Sequence, residues 1–146
     1  VTTALDTSVL LDVFIPDPVF ADASQRAIER CDLAGSLVIG EAVYAELAAH
    51  FPSKDQLDRA LRGSDIAVIG SGLDALFAAG RAWKAYRAAG GKRDRIATDF
   101  VIGGHALRQA DRLLTRDQGF YRRHFEGLIV TTPGDFTDAS SASWLK

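Results

Sequence analysis

The stretch ALDTSVLLD, residues 4–12, changes character in mid-course. Residues 3–5 are a short continuous apolar run of strand type. Asp6 interrupts it, Thr7 and Ser8 follow, and Val9, Leu10 and Leu11 begin a helix. A carboxylate where a core strand meets a helix has two uses. It can cap the helix that starts there. It can also form a corner of a ligand site, because open α/β sheets bind ligands beyond the carboxyl ends of their strands.

Working outward, four more runs have the same strand character: residues 36–39, 66–69, 112–115 and 128–131. SLVIG, IAVIG, RLLT and LIVTT are continuous rather than alternating, as in parallel strands covered on both faces. Helical stretches separate them. Residues 18–34 open at a proline, 41–51 stop at Pro52, and 53–63 run from a serine cap to a glycine. Residues 73–91 close on a glycine pair, 98–110 open at Thr98, and 117–125 make a last short helix. Strands alternating with helices predict an α/β fold around a five-stranded parallel sheet. Residues 1–146 read as a single domain, large enough to bury roughly 70% of its unfolded surface. The tail, 132–146, is polar and rich in small residues, and is expected to be loosely held.

Composition excludes several classes. No run approaches the ~18 apolar residues of a membrane helix. No basic stretch followed by an apolar one marks a secretion signal, so a cytoplasmic protein is expected. Cys31 is the only cysteine, which rules out an internal disulfide and a thiolate metal site and is read as a buried, reduced thiol. The net charge of −2 hides an asymmetry: residues 81–123 hold 11 of the 17 Lys and Arg but 4 of the 19 Asp and Glu. That segment is +7 and the rest is −9. It is either a set of solvated helix faces or a field for a polyanion.

Four acids stand where strand ends and inward helix faces fall. Asp6 ends the first strand, and Asp117 follows LLTR, with Thr115 two residues before it. Glu46 shares a helix face with Val43, Leu47 and His50, and Asp99 shares one with Ile102, Gly103 and Ala106. Singly, each has an ordinary reading as a cap, a first-turn acid or a surface glutamate. Jointly they pose an electrostatic problem. Two carboxylates ~5 Å apart repel by about 3 kcal/mol at an effective dielectric of 20. An oxygen-only cluster is compensated by a hard divalent cation, Mg²⁺ or Mn²⁺, rather than zinc. Such a cation can lower the pKa of a bound water and neutralise charge on a phosphoryl group, which is the chemistry of phosphodiester hydrolysis.

LDTSVLLDVF, VYAELAAHF, TDFVIGGHA and LLTRDQGFYRRHF, in this order and spacing, resemble the PIN-domain nucleases. Within them they are most similar to VapC-type toxins of bacterial toxin–antitoxin pairs. The resemblance covers residues 3 to about 131. It implies a PIN-like three-layer α/β/α sandwich and a metal-dependent ribonuclease site. Asp6, Glu46, Asp99 and Asp117 match the four catalytic, metal-holding acids. Thr7 and Ser8 match the hydroxyl pair after the first acid, and Thr115 the hydroxyl before the fourth. It further implies Mg²⁺ as cofactor, with Mn²⁺ as a substitute, an RNA substrate, a homodimer and a cognate antitoxin lying in a groove near the site.

Neighbouring residues are weighed against these. Glu41 is the rival to Glu46. His105 reads as a hydrogen-bonded core or rim residue, and the paired glycines before it as close packing. His50 and His124 read as helix ends, Asp12 as a surface acid, and Asp94 as a partner of Arg93 or Arg95. Lys92, Arg93, Arg95 and Arg116 are the candidate phosphate contacts. Phe14, Ile15, Pro16 and Phe20 are either core or part of a partner groove. A phosphoacceptor switch is disfavoured, because IAVIGSG ends without an Asp and LIVTTPG holds no Lys. A catalytically idle RNA-binding module and a nuclease of RNA processing remain as alternatives.

Overall fold

A computed structural model describes residues 1–92 and 97–136. Five parallel strands form one sheet in the order β3-β2-β1-β4-β5. They are β1 (Thr2–Leu5), β2 (Ser36–Ile39), β3 (Ile66–Val68), β4 (Arg112–Leu114) and β5 (Val130–Thr131). Seven helices connect and cover them: α1 (Thr7–Phe14), α2 (Ala21–Ala34), α3 (Glu41–Ala48), α4 (Lys54–Gly63), α5 (Gly72–Ala88), α6 (Ala97–Gln109) and α7 (Gln118–His124). Residues Pro133–Phe136 form a 3₁₀ turn whose Phe136 packs on the core. The remaining tail, 137–146, lies outside the described residues, as do Arg93, Asp94 and Arg95.

The strand order puts the site. From β1 the chain steps one way through β2 to β3, then returns to the other side of β1 for β4 and β5. β1 and β4 therefore flank the switch point, where the connections diverge and leave a crevice beyond the strands' carboxyl ends. Thr3, Ala4 and Leu5 on β1 are all at most 1% exposed. Successive strand side chains point to opposite faces, so both faces of β1 are covered. On one face Cys31 of α2 meets Arg112, whose Nε donates to Thr3 Oγ1 at 2.9 Å. On the other, Ala4 and Leu113 meet Val101, Ile102 and His105 of α6.

The paired glycines of α6 permit this closeness. A Cβ on Gly104 would lie 2.4 Å from the Ala75 carbonyl oxygen of α5, and one on Gly103 would lie 2.2 Å from the Phe125 ring. The edge strands are shorter than the apolar runs predict. β3 stops at Val68, and Val68 and Ile69 are 48% and 42% exposed. Ile69 N still donates to Ile39 O at 2.9 Å, but β2 ends at Ile39 and the pairing stops with it. The helix expected from residue 18 starts at Ala21 instead. Asp17 Oδ1 accepts from the Val19 and Phe20 N–H groups at 2.8 and 2.9 Å and holds the intervening residues in a turn.

Candidate metal centre at the carboxyl edge of the sheet

Asp6 is fixed by backbone and side chain together. Its N–H donates to Leu114 O at 3.0 Å, which ties it to β4 across the switch point. Its carboxylate caps α1, accepting from Thr7 N at 2.8 Å, and also accepts from Thr115 Oγ1 at 2.6 Å and Ser8 Oγ at 3.3 Å. The cap reading and the site reading are thus both realised by one side chain. Thr115 Oγ1 in turn accepts from Asp117 N at 2.9 Å, so a single hydroxyl links the first and last acids. Thr7 Oγ1 donates to Glu46 Oε1 at 2.6 Å and draws α3 to the start of α1.

Asp6 is 8% exposed. Burial pushes its carboxyl up, hydrogen bonds from Thr115 and Thr7 pull it down, and the charges of Glu46 and Asp99 push it up again, leaving it at about 6. Glu46 and Asp99 are half-buried, and Asp117 is exposed at the N-cap of α7, where it accepts from Phe120 N at 3.4 Å. All four carboxylates also act on Tyr121, one turn beyond Asp117 on α7. Burial first, then the charges of Asp6, Asp99, Asp117 and Glu46, push its phenol well above the ordinary range. The sequence reading passed over Tyr121. Its i,i+4 spacing from Asp117 was the available signal.

Among the described residues, no group of three or more His, Cys, Asp or Glu side chains stands arranged as a finished ion cage. The donor chemistry nevertheless fits a hard divalent cation. The donors are carboxylate and hydroxyl oxygens. The carboxyl of Asp6 is raised first by burial and then by the charges of Glu46 and Asp99, and a bound cation would favour its ionised form.

Glu41 is committed to a second polar cluster on the same edge. It accepts from Ser71 Oγ and, at 3.4 Å, from Ser71 N. Gln109 Nε2 donates to Ser71 O at 2.7 Å, and His105 Nε2 pairs with Ile69 O at 2.8 Å. A carbonyl only accepts, so His105 Nε2 carries the proton in this pair. Burial pushes the Glu41 carboxyl up, but the Ser71 bonds, its own N–H and His105 leave it below the usual range. Burial holds the His105 imidazole below its ordinary value. The imidazole is 3% exposed and lies against Gly40, where a Cβ would come 2.7 Å from the ring.

Of the candidate phosphate contacts, Lys92 and Arg116 are among the described residues. Lys92 is exposed. Arg116 is held by Asp12, with Nε–Oδ2 2.9 Å and Nη2–Oδ1 3.1 Å, and its guanidinium lies 4.1 Å over the Phe20 ring. Asp12 is not the surface acid expected. It is 3% exposed and takes a further bond from Ser24 Oγ at 2.7 Å. Arg122 Nη2 donates to Val130 O at 3.1 Å. His124 ends α7 as expected, but within a cluster of rings, 4.9 Å from Phe120 and 5.2 Å from Tyr86.

A parallel five-stranded sheet, with Asp6 at its switch point and Glu46 and Asp99 within electrostatic reach, makes this an α/β domain. The chain belongs to the PIN-domain family: the family's model matches residues 3–126. Members of that family are in general divalent-metal-dependent nucleases. No curated protein matches the chain. Among solved structures it is similar to the VapBC2 complex of Rickettsia felis bound to a DNA fragment from its promoter. The TM-score is 0.68 at 20% identity, over 90% of this chain and 98% of that one. VapBC-1 of nontypeable Haemophilus influenzae gives a TM-score of 0.68 at 20% identity over 92% and 99%. DNA-bound VapBC of Salmonella typhimurium gives 0.68 at 16% over 91% and 98%. At these identities the likeness is one of fold. No described helix is long and apolar enough to cross a membrane.

Proposed function

We propose that this chain is a Mg²⁺-dependent endoribonuclease that acts in the cytoplasm as the toxin of a toxin–antitoxin pair. The observation that carries the reading is Asp6, a buried carboxyl with a raised pKa, bonded to Thr115 and ringed electrostatically by further acids at the switch point of a PIN fold. Asp6, Glu46, Asp99 and Asp117 would hold the cation, with Mn²⁺ as a substitute. When bound, it would supply Lewis-acid activation of water and charge neutralisation at the scissile phosphate. Thr7, Ser8 and Thr115 position the carboxylates through the bonds described above. Lys92, Arg93 and Arg95 would contact RNA phosphates without reading sequence. Arg116 would add a contact through whatever donor capacity its Asp12 pair leaves.

The toxin assignment draws on the fold shared with toxin–antitoxin complexes. An antitoxin segment would lie along the α1–α2 connection, where Ile15 and Phe20 are 51% and 40% exposed. A second copy of this chain would cover the apolar surface left by Val68, Ile69, Leu73, Leu76 and Phe77 at the β3–α5 edge.

The test is incubation of antitoxin-free protein with total RNA and Mg²⁺ or Mn²⁺, beside a chelator control and Asp6→Asn. Discrete products lost in both controls are expected. Uncut RNA together with no Mn²⁺ binding by the wild-type protein defeats the nuclease reading and favours an idle RNA-binding module.

A further inference from the structure

Helix α5 carries an indole that the core does not use. Ala75, Ala79, Ala82 and Tyr86 form the inward stripe of the helix. Trp83 stands beside that stripe, outside the core, and is 36% exposed. The Arg87 guanidinium lies 5.4 Å from the centre of its ring. Gly80, one turn earlier, carries no side chain, and a Cβ there would meet nothing within 4 Å, so the indole does not lie down on it. Gly80, Trp83, Lys84, Arg87 and Ala88 line a surface hollow of about 340 Å³.

The surface around the indole has one sign of charge. Residues 75–92 include Arg81, Lys84, Arg87 and Lys92 and no Asp or Glu. All four cations are exposed, and none pairs with an acid among the described residues. A second copy docked through this same face would set like charges against one another. A polyanion that carries flat rings answers both features, because its phosphates meet the cations while a base stacks on the indole. That describes a single strand, whose bases are free to leave one another. This end of α5 also lies beside the acid site. Tyr86 donates its hydroxyl to Lys92 O at 2.9 Å, and its ring packs on Phe100 at 5.4 Å between centroids and on His124 at 5.2 Å. Phe100 follows Asp99 on α6 and packs at 5.2 Å on Phe120, whose N–H donates to Asp117. One turn of α5 therefore separates Trp83 from a ring cluster that adjoins both Asp99 and Asp117.

We propose that Trp83, flanked by Lys84 and Arg87, is a stacking subsite for an unpaired base of an RNA strand that continues into the acid site. This rests on the reading of RNA as the substrate. The indole holds the strand without reading its sequence, since every base has a π-face, and the cations hold the phosphates on either side.

The test is a fluorescence titration of the Trp144→Phe chain, in which Trp83 is the only tryptophan, with an oligouridylate in the presence of EDTA. Saturable quenching is expected. Polyphosphate, which has the charge but no bases, should not quench, and equal quenching by it overturns the proposal. In the otherwise wild-type chain, Trp83→Ala should weaken binding of a labelled oligouridylate about tenfold by anisotropy, and Trp83→Phe should restore most of it. Oligouridylate bound without quenching, or Trp83→Ala affinity within about twofold of wild type, overturns the subsite and leaves the nuclease reading standing. A dimer that dissociates on Trp83→Ala, seen by sedimentation, gives this face to a second copy and also overturns it. Quenching and the loss in Trp83→Ala, in a protein that cuts no RNA with Mg²⁺ or Mn²⁺, uphold the subsite while defeating the nuclease reading. No oligouridylate binding by the wild-type chain overturns the subsite.

Discussion

Two polar clusters share the carboxyl edge of the sheet, and they are built on opposite principles. In the cluster of Glu41, Ser71, His105 and Gln109 the polar groups answer one another. Ser71 donates its hydroxyl to Glu41 and accepts at its carbonyl from Gln109 Nε2, and His105 closes on Ile69. Its carboxyl sits below the usual range. In the cluster at the switch point, Asp6 sits well above that range although three protein groups donate to it. One cluster fastens the β3–α5 connection to α3 and α6. The other keeps the Asp6 carboxyl buried, with Glu46 and Asp99 within electrostatic reach, at a standing cost. A fold retains such a cost where something absent from the protein itself relieves it, which separates a site from a fastening.

The sharpest break of the comparison is Asp6→Asn. On the proposed reading, loss of nuclease activity should far exceed the ~10–100-fold of an outer hydrogen-bond partner, because a metal-holding carboxylate would be removed. Stability should move the other way. The Asp6 carboxyl is pushed up to about 6 in the fold against 3.8 for a free carboxyl, so its ionised form destabilises the fold above pH 6, by roughly 3 kcal/mol. That penalty is relieved as pH falls from about 6 towards 4. Metal-free Asp6→Asn should therefore melt several degrees above wild type at pH 8, at ~2–4 °C per kcal/mol, and the two should converge by pH 4. His105, with its lowered pKa, loses stability in the same direction of pH. The difference between the two melting curves, rather than either curve, isolates Asp6. A variant that is less stable at pH 8 would show that the carboxylate is compensated within the protein.

Next in size is the Asp12–Arg116 pair, which lies beside the site and resembles the fastening. Arg116→Ala leaves Asp12 uncompensated at 3% exposure and should cost about 3 kcal/mol, as breaking a buried pair does. Chemical denaturation reads it directly. A loss of RNA affinity with full stability would instead mark Arg116 as a phosphate contact free of its partner.

The contrast also sorts what the chain disclosed in sequence from what it did not. The strand–helix alternation was legible because the period of apolar residues is local. Asp6, Thr7 and Ser8 were legible as a group because a strand end and a helix cap coincide within three residues. The pairing of Thr115 with Asp6 was reachable, since both follow strands that a parallel sheet makes neighbours. Asp12 was misread as surface, since its partner Arg116 is 104 residues away and nothing local announces it. Glu41 and Glu46 were hard to separate by position along one helix. What separates them is Thr7 on one side and Ser71 on the other. Tyr121 stands just before two arginines, and nothing local marks it as buried.

The smallest effects belong to the fastening, and they test whether it is one. Ser71→Ala removes a 1% exposed hydroxyl and leaves Glu41, on its solvent side, to be rehydrated. A loss of about 1 kcal/mol is expected, the net worth of an ordinary hydrogen bond, with cleavage per folded molecule within about twofold of wild type. Glu41→Gln should show the opposite pH signature to Asp6→Asn. The Glu41 carboxyl lies below the 4.5 of a free glutamate, so its contribution is present above that pH and fades as pH falls through the folded value. The wild-type advantage over Glu41→Gln should thus be full at pH 7 and shrink below pH 4.5, where Asp6 no longer separates wild type from Asp6→Asn. If instead Glu41→Gln lost metal binding, the two clusters would be a single site, and Glu41 would belong among its ligands.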